Sequence, residues 1–169
     1  AYGAIGNQYF RYYNLRNAEA ITYGGQFSIR WIENKMNEYL NRVLKTKGED
    51  YVIASDTDSI YLNMGPLVET VYKGREKTDE SVVGFLNKVS EMELEPYIQS
   101  SYEELAEYVS AYDQKMIMKR ENIASSGIWT AKKRYMLNVW DSEGVRYNKP
   151  KLKMMGIEAV KSSTPAPCR

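Results

Sequence analysis

Histidine is missing altogether from this chain of 169 residues, and cysteine occurs once, at Cys168. The first absence removes imidazole-built zinc sites, Ser-His triads and histidine general bases together. The second excludes an internal disulfide and fits a reducing compartment. Long apolar runs are also wanting: no stretch approaches the ~20 residues that span a bilayer. The opening Ala1-Tyr2-Gly3-Ala4 has neither the basic start nor the apolar stretch of a signal peptide. It also lacks an initiator methionine, so the chain is expected to be one part of a longer polypeptide. Chemistry here must run on carboxylates, Lys, Arg, Tyr or a bound hard metal.

What is present is ordinary for a folded domain. Apolar residues make up 43% of the chain and charged residues 27%, which argues against wholesale disorder and leaves enough to build a core. The net charge of +1 hides a split. Residues 1–114 hold 11 Lys and Arg against 18 Asp and Glu, whereas residues 115–169 hold 12 against 4. An acidic part joined to a basic part suits a chain that holds cations in one place and a polyanion in another. Charges segregated by chance on solvated faces give the same numbers.

Apolar residues at Ile21, Ile29, Ile32, Met36, Leu40 and Val43, with Gly25 in the same stripe, predict an amphipathic helix from about Asn17 to Leu44. Asn17 is its expected N-cap and Lys47-Gly48 its stop. Gly24 and Gly25 weaken its first half and suggest a close approach to the backbone there. The period then changes. Tyr51–Ala54 and Ile60–Leu62 read as two short strands of a hairpin, without a glycine in the turn. Residues 63–77 read as a connection, with Gly65-Pro66 as a turn. A second helical stretch runs from about Thr78 to Tyr112, where Pro96 kinks one helix or starts another. Lys115–Met118, Tyr135–Trp140 and Lys151–Met155 read as strands, with Asp141-Ser142-Glu143-Gly144 as a turn. The class is α+β, an antiparallel sheet with helices packed on one face.

Asp56 and Asp58 are the sharpest feature. In extended backbone, residues two apart share a face, so both carboxylates point into one space. Bare, they repel, and one resists ionising. A divalent cation resolves this, and magnesium takes a few carboxylates together with waters and substrate phosphates. Asp and Ser are also favoured in plain turns, where they hydrogen-bond their own backbone. The apolar strands on either side favour the metal reading.

These residues carry a resemblance. Ser55-Asp56-Thr57-Asp58-Ser59-Ile60-Tyr61 resembles the Asp-Thr-Asp-Ser motif of family B DNA polymerases, with Ala54-Ser55 standing where members usually carry Tyr-Gly. Tyr2-Gly3 resembles the end of the fingers motif Lys-x-x-x-Asn-Ser-x-Tyr-Gly, and Lys132-Lys133-Arg134-Tyr135 resembles the Lys-Lys-x-Tyr motif. Asn7, Arg11-Tyr12-Tyr13, Leu15-Arg16-Asn17-Ala18 and Lys161-Ser162-Ser163-Thr164-Pro165 are similar to the polymerases of T-even-type tailed bacteriophages.

The resemblance implies a palm-like domain that extends a primer by two-metal nucleotidyl transfer with two Mg²⁺ ions. It implies primer-template DNA and deoxynucleoside triphosphates as partners, no membrane, and the cytoplasm of an infected bacterial host. Residues 1–16 would be the end of the fingers motif and a connection, 17–161 the palm, and 162–169 a linker toward a thumb. Asp56 and Asp58 correspond to carboxylates of the metal site, and Tyr2 to the residue beneath the nascent base pair. Lys133 and Tyr135 correspond to minor-groove and primer contacts, with Lys132 and Arg134 beside them. Glu121 resembles a nearby palm carboxylate, although Lys119 stands where close relatives have an acid. The family's other metal-binding Asp, in a Ser-Leu-Tyr-Pro motif, has no counterpart here, nor do the fingers Lys and Asn. The missing fingers, thumb and upstream palm parts are therefore expected partners, and the chain alone is expected to be inactive. A non-catalytic DNA-binding part of a split polymerase shares the same motifs. A sugar transferase whose Asp-x-Asp holds Mn²⁺ would need an α/β nucleotide-binding half before the motif, and an amphipathic helix stands there instead.

Overall fold

The computed structural model describes residues 2–160 and Pro165, and of Tyr2 and Val160 only the backbone. The chain divides into two compact units, residues 1–63 with 100–115 and residues 64–99 with 116–169. The expected side-chain role of Tyr2 and the expected linker 162–169, Pro165 apart, lie outside the described residues.

The first unit begins with one helical turn, α1 (Tyr2–Ile5), and then the long helix α2 (Leu15–Leu44). The N-cap is Asn14 and not Asn17. Asn14 has extended backbone, and its side chain accepts from the Asn17 amide at 3.0 Å, so the helix starts earlier than its apolar stripe. Lys45, in the left-handed region at φ 57°, ends the helix before Gly48 is reached. Ile32, Met36 and Leu40 are buried as the period predicts, but Ile21 and Val43 are exposed and Ala18 and Ser28 are buried in their place. The strands β1 (Val52–Asp56) and β2 (Ser59–Leu62) lie against α2, and Trp31 Nε1 donates to the Ser101 carbonyl at 2.9 Å. Gly24 and Gly25 have open space where a Cβ would stand, so the expected close approach is not found. The rings of Trp31 and Tyr108 stack at 5.8 Å.

In the second unit, the expected connection contains a short helix, α3 (Gly65–Val71), in which Pro66 occupies the first turn, where its missing N–H costs nothing. α4 (Asp79–Val89) is capped by Thr78, with Asp79 and Glu80 in its first turn, where they complement the helix dipole. It passes through a π-helical turn, Ser90–Leu94, into α5 (Glu95–Tyr108), of which residues 95–99 belong to this unit. The Glu95 amide reaches back to the Ser90 carbonyl, and this widened turn admits Pro96 without ending the helix. Three strands follow: β3 (Asn122–Ala131), β4 (Arg134–Ser142) and β5 (Val145–Met155), antiparallel in the order β3-β4-β5. Lys115–Met118, expected as a strand, has no regular structure; the first strand is β3 instead.

The class is α+β with antiparallel strands, as expected, but the strands form two sheets rather than one. No helix among the described residues is long and apolar enough to cross a membrane.

Candidate functional site

Asp56 closes β1 opposite Ser59, so the turn of the first hairpin is Thr57-Asp58. Thr57 lies at φ 56°, and the Asp58 amide donates to the Asp56 carbonyl at 2.6 Å. That is a three-residue turn around a β-branched residue in the left-handed region, where side chains other than glycine are strained. Thr57 Oγ1 donates to Asp56 Oδ1 at 3.0 Å, and Ser59 Oγ to the Asp56 carbonyl at 3.2 Å. The shared-face argument therefore stops at Asp56. Asp58 is delivered by the turn and is exposed, while Asp56 is half-buried. Neither carboxylate forms an ion pair among the described residues.

The hairpin stands on α2. Asn37 Oδ1 accepts from the Tyr51 amide at 2.8 Å and the Val52 amide at 3.2 Å, while Asn37 Nδ2 donates to Asp50 Oδ1 at 2.8 Å. One turn on, Asn41 Nδ2 donates to the Glu49 carbonyl at 2.7 Å, and Asn41 Oδ1 accepts from the Glu49 amide at 3.0 Å and from Thr46 Oγ1 at 2.9 Å. Thr46 Oγ1 in turn meets the hydroxyl of buried Tyr51 at 2.8 Å. The sequence reading missed both asparagines. Their only local signal is a spacing of four on a helix, and their partners lie across a turn.

Two carboxylates without cationic partners are hard oxygen donors of the kind magnesium takes. Among the described residues, no three Asp, Glu, Cys or His side chains converge as a metal site. The pair fits as part of a magnesium site and not as a whole one.

The second unit presents the basic residues. Lys132-Lys133 is the two-residue turn between β3 and β4, with Ala131 opposite Arg134 and Trp129 opposite Tyr135. Lys132, Lys133 and Arg134 are exposed, and the rings of Tyr135 and Trp129 lie 6.4 Å apart. Lys133 sits at φ 61°. Gly156, just past β5 at φ 62°, comes so close that a Cβ there would stand 2.2 Å from the Lys133 carbonyl oxygen. Along β5, Lys149 and Lys151 are exposed and the Lys151 ammonium lies 4.1 Å from the Tyr147 ring centre. Lys153 is engaged by Glu121 at 3.0 Å, so Glu121 is an ion-pair partner within this unit.

Near the end of β4, buried Asp141 takes hydrogen bonds from Arg120 Nη1 and from the Gly144 amide, the latter at 3.1 Å. Arg120 also reaches Asn87 Oδ1 through Nη2, and its amide donates to Glu95 Oε1 at 3.0 Å. This network ties α4 and the start of α5 to the strands that carry the basic tip.

No protein-family model matches the chain. It is 48% identical to the DNA-directed DNA polymerase of Escherichia phage RB69 and 46% identical to that of Enterobacteria phage T4, in both cases over 97% of its length. It spans about a fifth, 19%, of the length of each of these relatives. Likeness of that degree over nearly the whole chain makes this sequence homologous to one segment of the T-even-type phage DNA polymerases.

Proposed function

We propose that this chain forms the palm portion of a replicative family B DNA-directed DNA polymerase, acting in the cytoplasm of an infected bacterium. The observation that carries the reading is the 48% identity to a phage polymerase along 97% of the chain. The Asp56-Thr57-Asp58 turn at the tip of a hairpin seated on α2 supports it. In this proposal Asp56 and Asp58 contribute carboxylates to a site for two magnesium ions, completed by residues outside the chain. Magnesium, when bound, makes the primer 3′-hydroxyl a better nucleophile and stabilises the leaving pyrophosphate. The chain's own work is positional. Thr57 holds the two carboxylates on either side of one tight turn, and the Asn37–Asp50–Tyr51 bonds hold the hairpin base. Tyr2 supports the nascent base pair. Lys132, Lys133, Arg134 and Tyr135 hold the primer-template duplex, and Glu121 acts on that surface through Lys153. Deoxynucleoside triphosphates and the fingers, thumb and remaining palm are its partners.

The test is primer extension by the full-length polymerase containing this segment. Asp58→Ala should abolish extension at saturating magnesium while duplex binding survives, because the change removes a carboxylate and no DNA contact. Extension at the wild-type rate would overturn the assignment of Asp58.

A further inference from the structure

Asn37 is a polar residue in the middle of a long helix whose three side-chain hydrogen bonds all leave the helix for the base of the Asp56–Asp58 hairpin. We propose that Asn37, acting with Asp50, is a positioning residue for that hairpin; the inference rests on the proposed role of Asp56 and Asp58. Two features make the base the weak point of the hairpin. Among the described residues the sheet has two strands, and a two-stranded ribbon is marginally stable without something to stand on. The ladder is also irregular at its base. Val52 pairs with Leu62 and Ala54 with Tyr61, so Ile53 is the extra residue of a bulge. Pairing resumes below the bulge, where the Asn63 amide donates to the Tyr51 carbonyl at 2.8 Å, but it joins β1 to β2 and not to α2, so the angle at which β1 leaves the helix rests on contacts to the helix. The Asn37 oxygen holds the amide of buried Tyr51 at 2.8 Å and shares the Val52 amide with Asp50 Oδ1, which accepts it at 3.1 Å, so Asn37 and Asp50 together clasp the start of β1.

The geometry acts as a lever. From Val52 to Asp56 the strand runs about 13 Å at ~3.3 Å per residue, so a tilt of about 10° at the base carries the tip through about 2 Å. Displacements of ~1 Å at a reacting centre cost about a hundredfold in rate. Loss of the Asn37 bonds should therefore show in the rate of the chemical step and leave duplex affinity alone.

The pairing of Asn37 with Asp50 supplies a rescue. In Asn37→Asp, two carboxylates face one another. In the double variant Asn37→Asp/Asp50→Asn, the acceptor for the Tyr51 and Val52 amides remains and an amide again donates across the pair. The experiment uses the full-length polymerase with two readouts: hydrogen exchange of the segment 52–62 without divalent metal, and single-turnover primer extension with separately measured primer-template affinity. Asn37→Ala and Asn37→Asp should exchange faster and extend about tenfold to a hundredfold more slowly, with affinity within about twofold of wild type. The exchanged pair should return exchange to the wild-type pattern and extension to within about threefold. Wild-type exchange and rate in Asn37→Ala would overturn the inference. So would an exchanged pair that stays as slow as Asn37→Asp, even if Asn37→Ala proves too unstable to purify. An Asp58→Ala control separates the two readings. If it abolishes extension while Asn37→Ala does not slow it, positioning fails and the site stands; if it extends normally, the site and this inference fall together.

Discussion

Thr57 is a β-branched residue at φ 56°, set between the two carboxylates on which the proposed chemistry depends. Left-handed backbone costs a side chain of this kind about 1–2 kcal/mol. Thr57→Gly should relieve that strain and, after the extra freedom glycine gives the unfolded chain, leave stability unchanged or raised by up to about 1 kcal/mol in urea melts. Extension by the full-length enzyme should nonetheless fall, because the Thr57 Oγ1 bond to Asp56 is lost. A loss of stability beyond 1 kcal/mol would show that the turn is relaxed. The two aspartates were legible because their signal is local: small polar residues between short apolar runs. Asn37 was not, since its partners Asp50, Tyr51 and Val52 lie beyond the end of α2 and no period marks them. Tyr102 was equally silent. Its burial raises the phenol pKa from the usual 10.0, so the folded chain holds that proton more tightly than the unfolded chain. Its contribution to stability is fully present below pH ~10 and is lost as pH rises through the folded pKa. The alkaline limb of a stability–pH profile should therefore fall less steeply in Tyr102→Phe than in the parent; identical limbs would refute this.

Among the elements, legibility followed the range of the forces that build them. The second half of α2 was readable because Ile32, Met36 and Leu40 repeat along a face that is buried. The first half was not, because exposed Ile21 and Phe27 carry the same apolar signal without being buried among the described residues. Lys115–Met118 misled for the same reason. Alternation of polar and apolar side chains is necessary for a strand, but a strand also needs a neighbour, and β3 finds β4, with Ile128 opposite Met136, through a pairing that no single stretch encodes. The β3–β4 tip depends on just such a distant contact. Gly156 adopts φ 62° against the Lys133 carbonyl, so Gly156→Ala introduces both an unfavourable backbone and a collision with main-chain atoms. Overpacking of this kind costs typically about 1–3 kcal/mol. The variant should melt earlier and lose duplex affinity in parallel, whereas Gly144→Ala, strained at φ 86° but with open space around it, should destabilise without touching Lys133. Equal duplex affinity in Gly156→Ala and wild type would show that the tip does not need this brace.

At the scale of the whole molecule, the charge split read from the sequence is softened by the fold. The chain crosses between the two units, so residues 1–63 with 100–115 carry 8 Lys and Arg against 11 Asp and Glu, and the remainder carries 15 against 11. Cations are concentrated instead on one hairpin tip and one edge strand. Some of them are already committed, Lys153 to Glu121 and Arg120 to Asp141, which leaves Lys132, Lys133, Lys149 and Lys151 as the exposed lysines of the sheet and its turn. These have distinct expected signatures on DNA. A lysine on phosphate releases a counterion, so Lys132→Ala, Lys149→Ala or Lys151→Ala should each weaken binding and lower the slope of log affinity against log salt by about 1 if it meets the backbone. Under the proposed function Lys133 meets the minor groove instead, where acceptors occur on every base pair and a lysine can check pair shape without reading sequence. Lys133→Ala in the full-length polymerase should therefore weaken primer-template binding about tenfold to a hundredfold with the salt slope nearly unchanged. Titrations on one duplex at several salt concentrations distinguish the two behaviours. A slope reduced by about 1 would move Lys133 onto phosphate; affinity unaltered at every salt would make the tip an ordinary solvated turn and remove the duplex from this face.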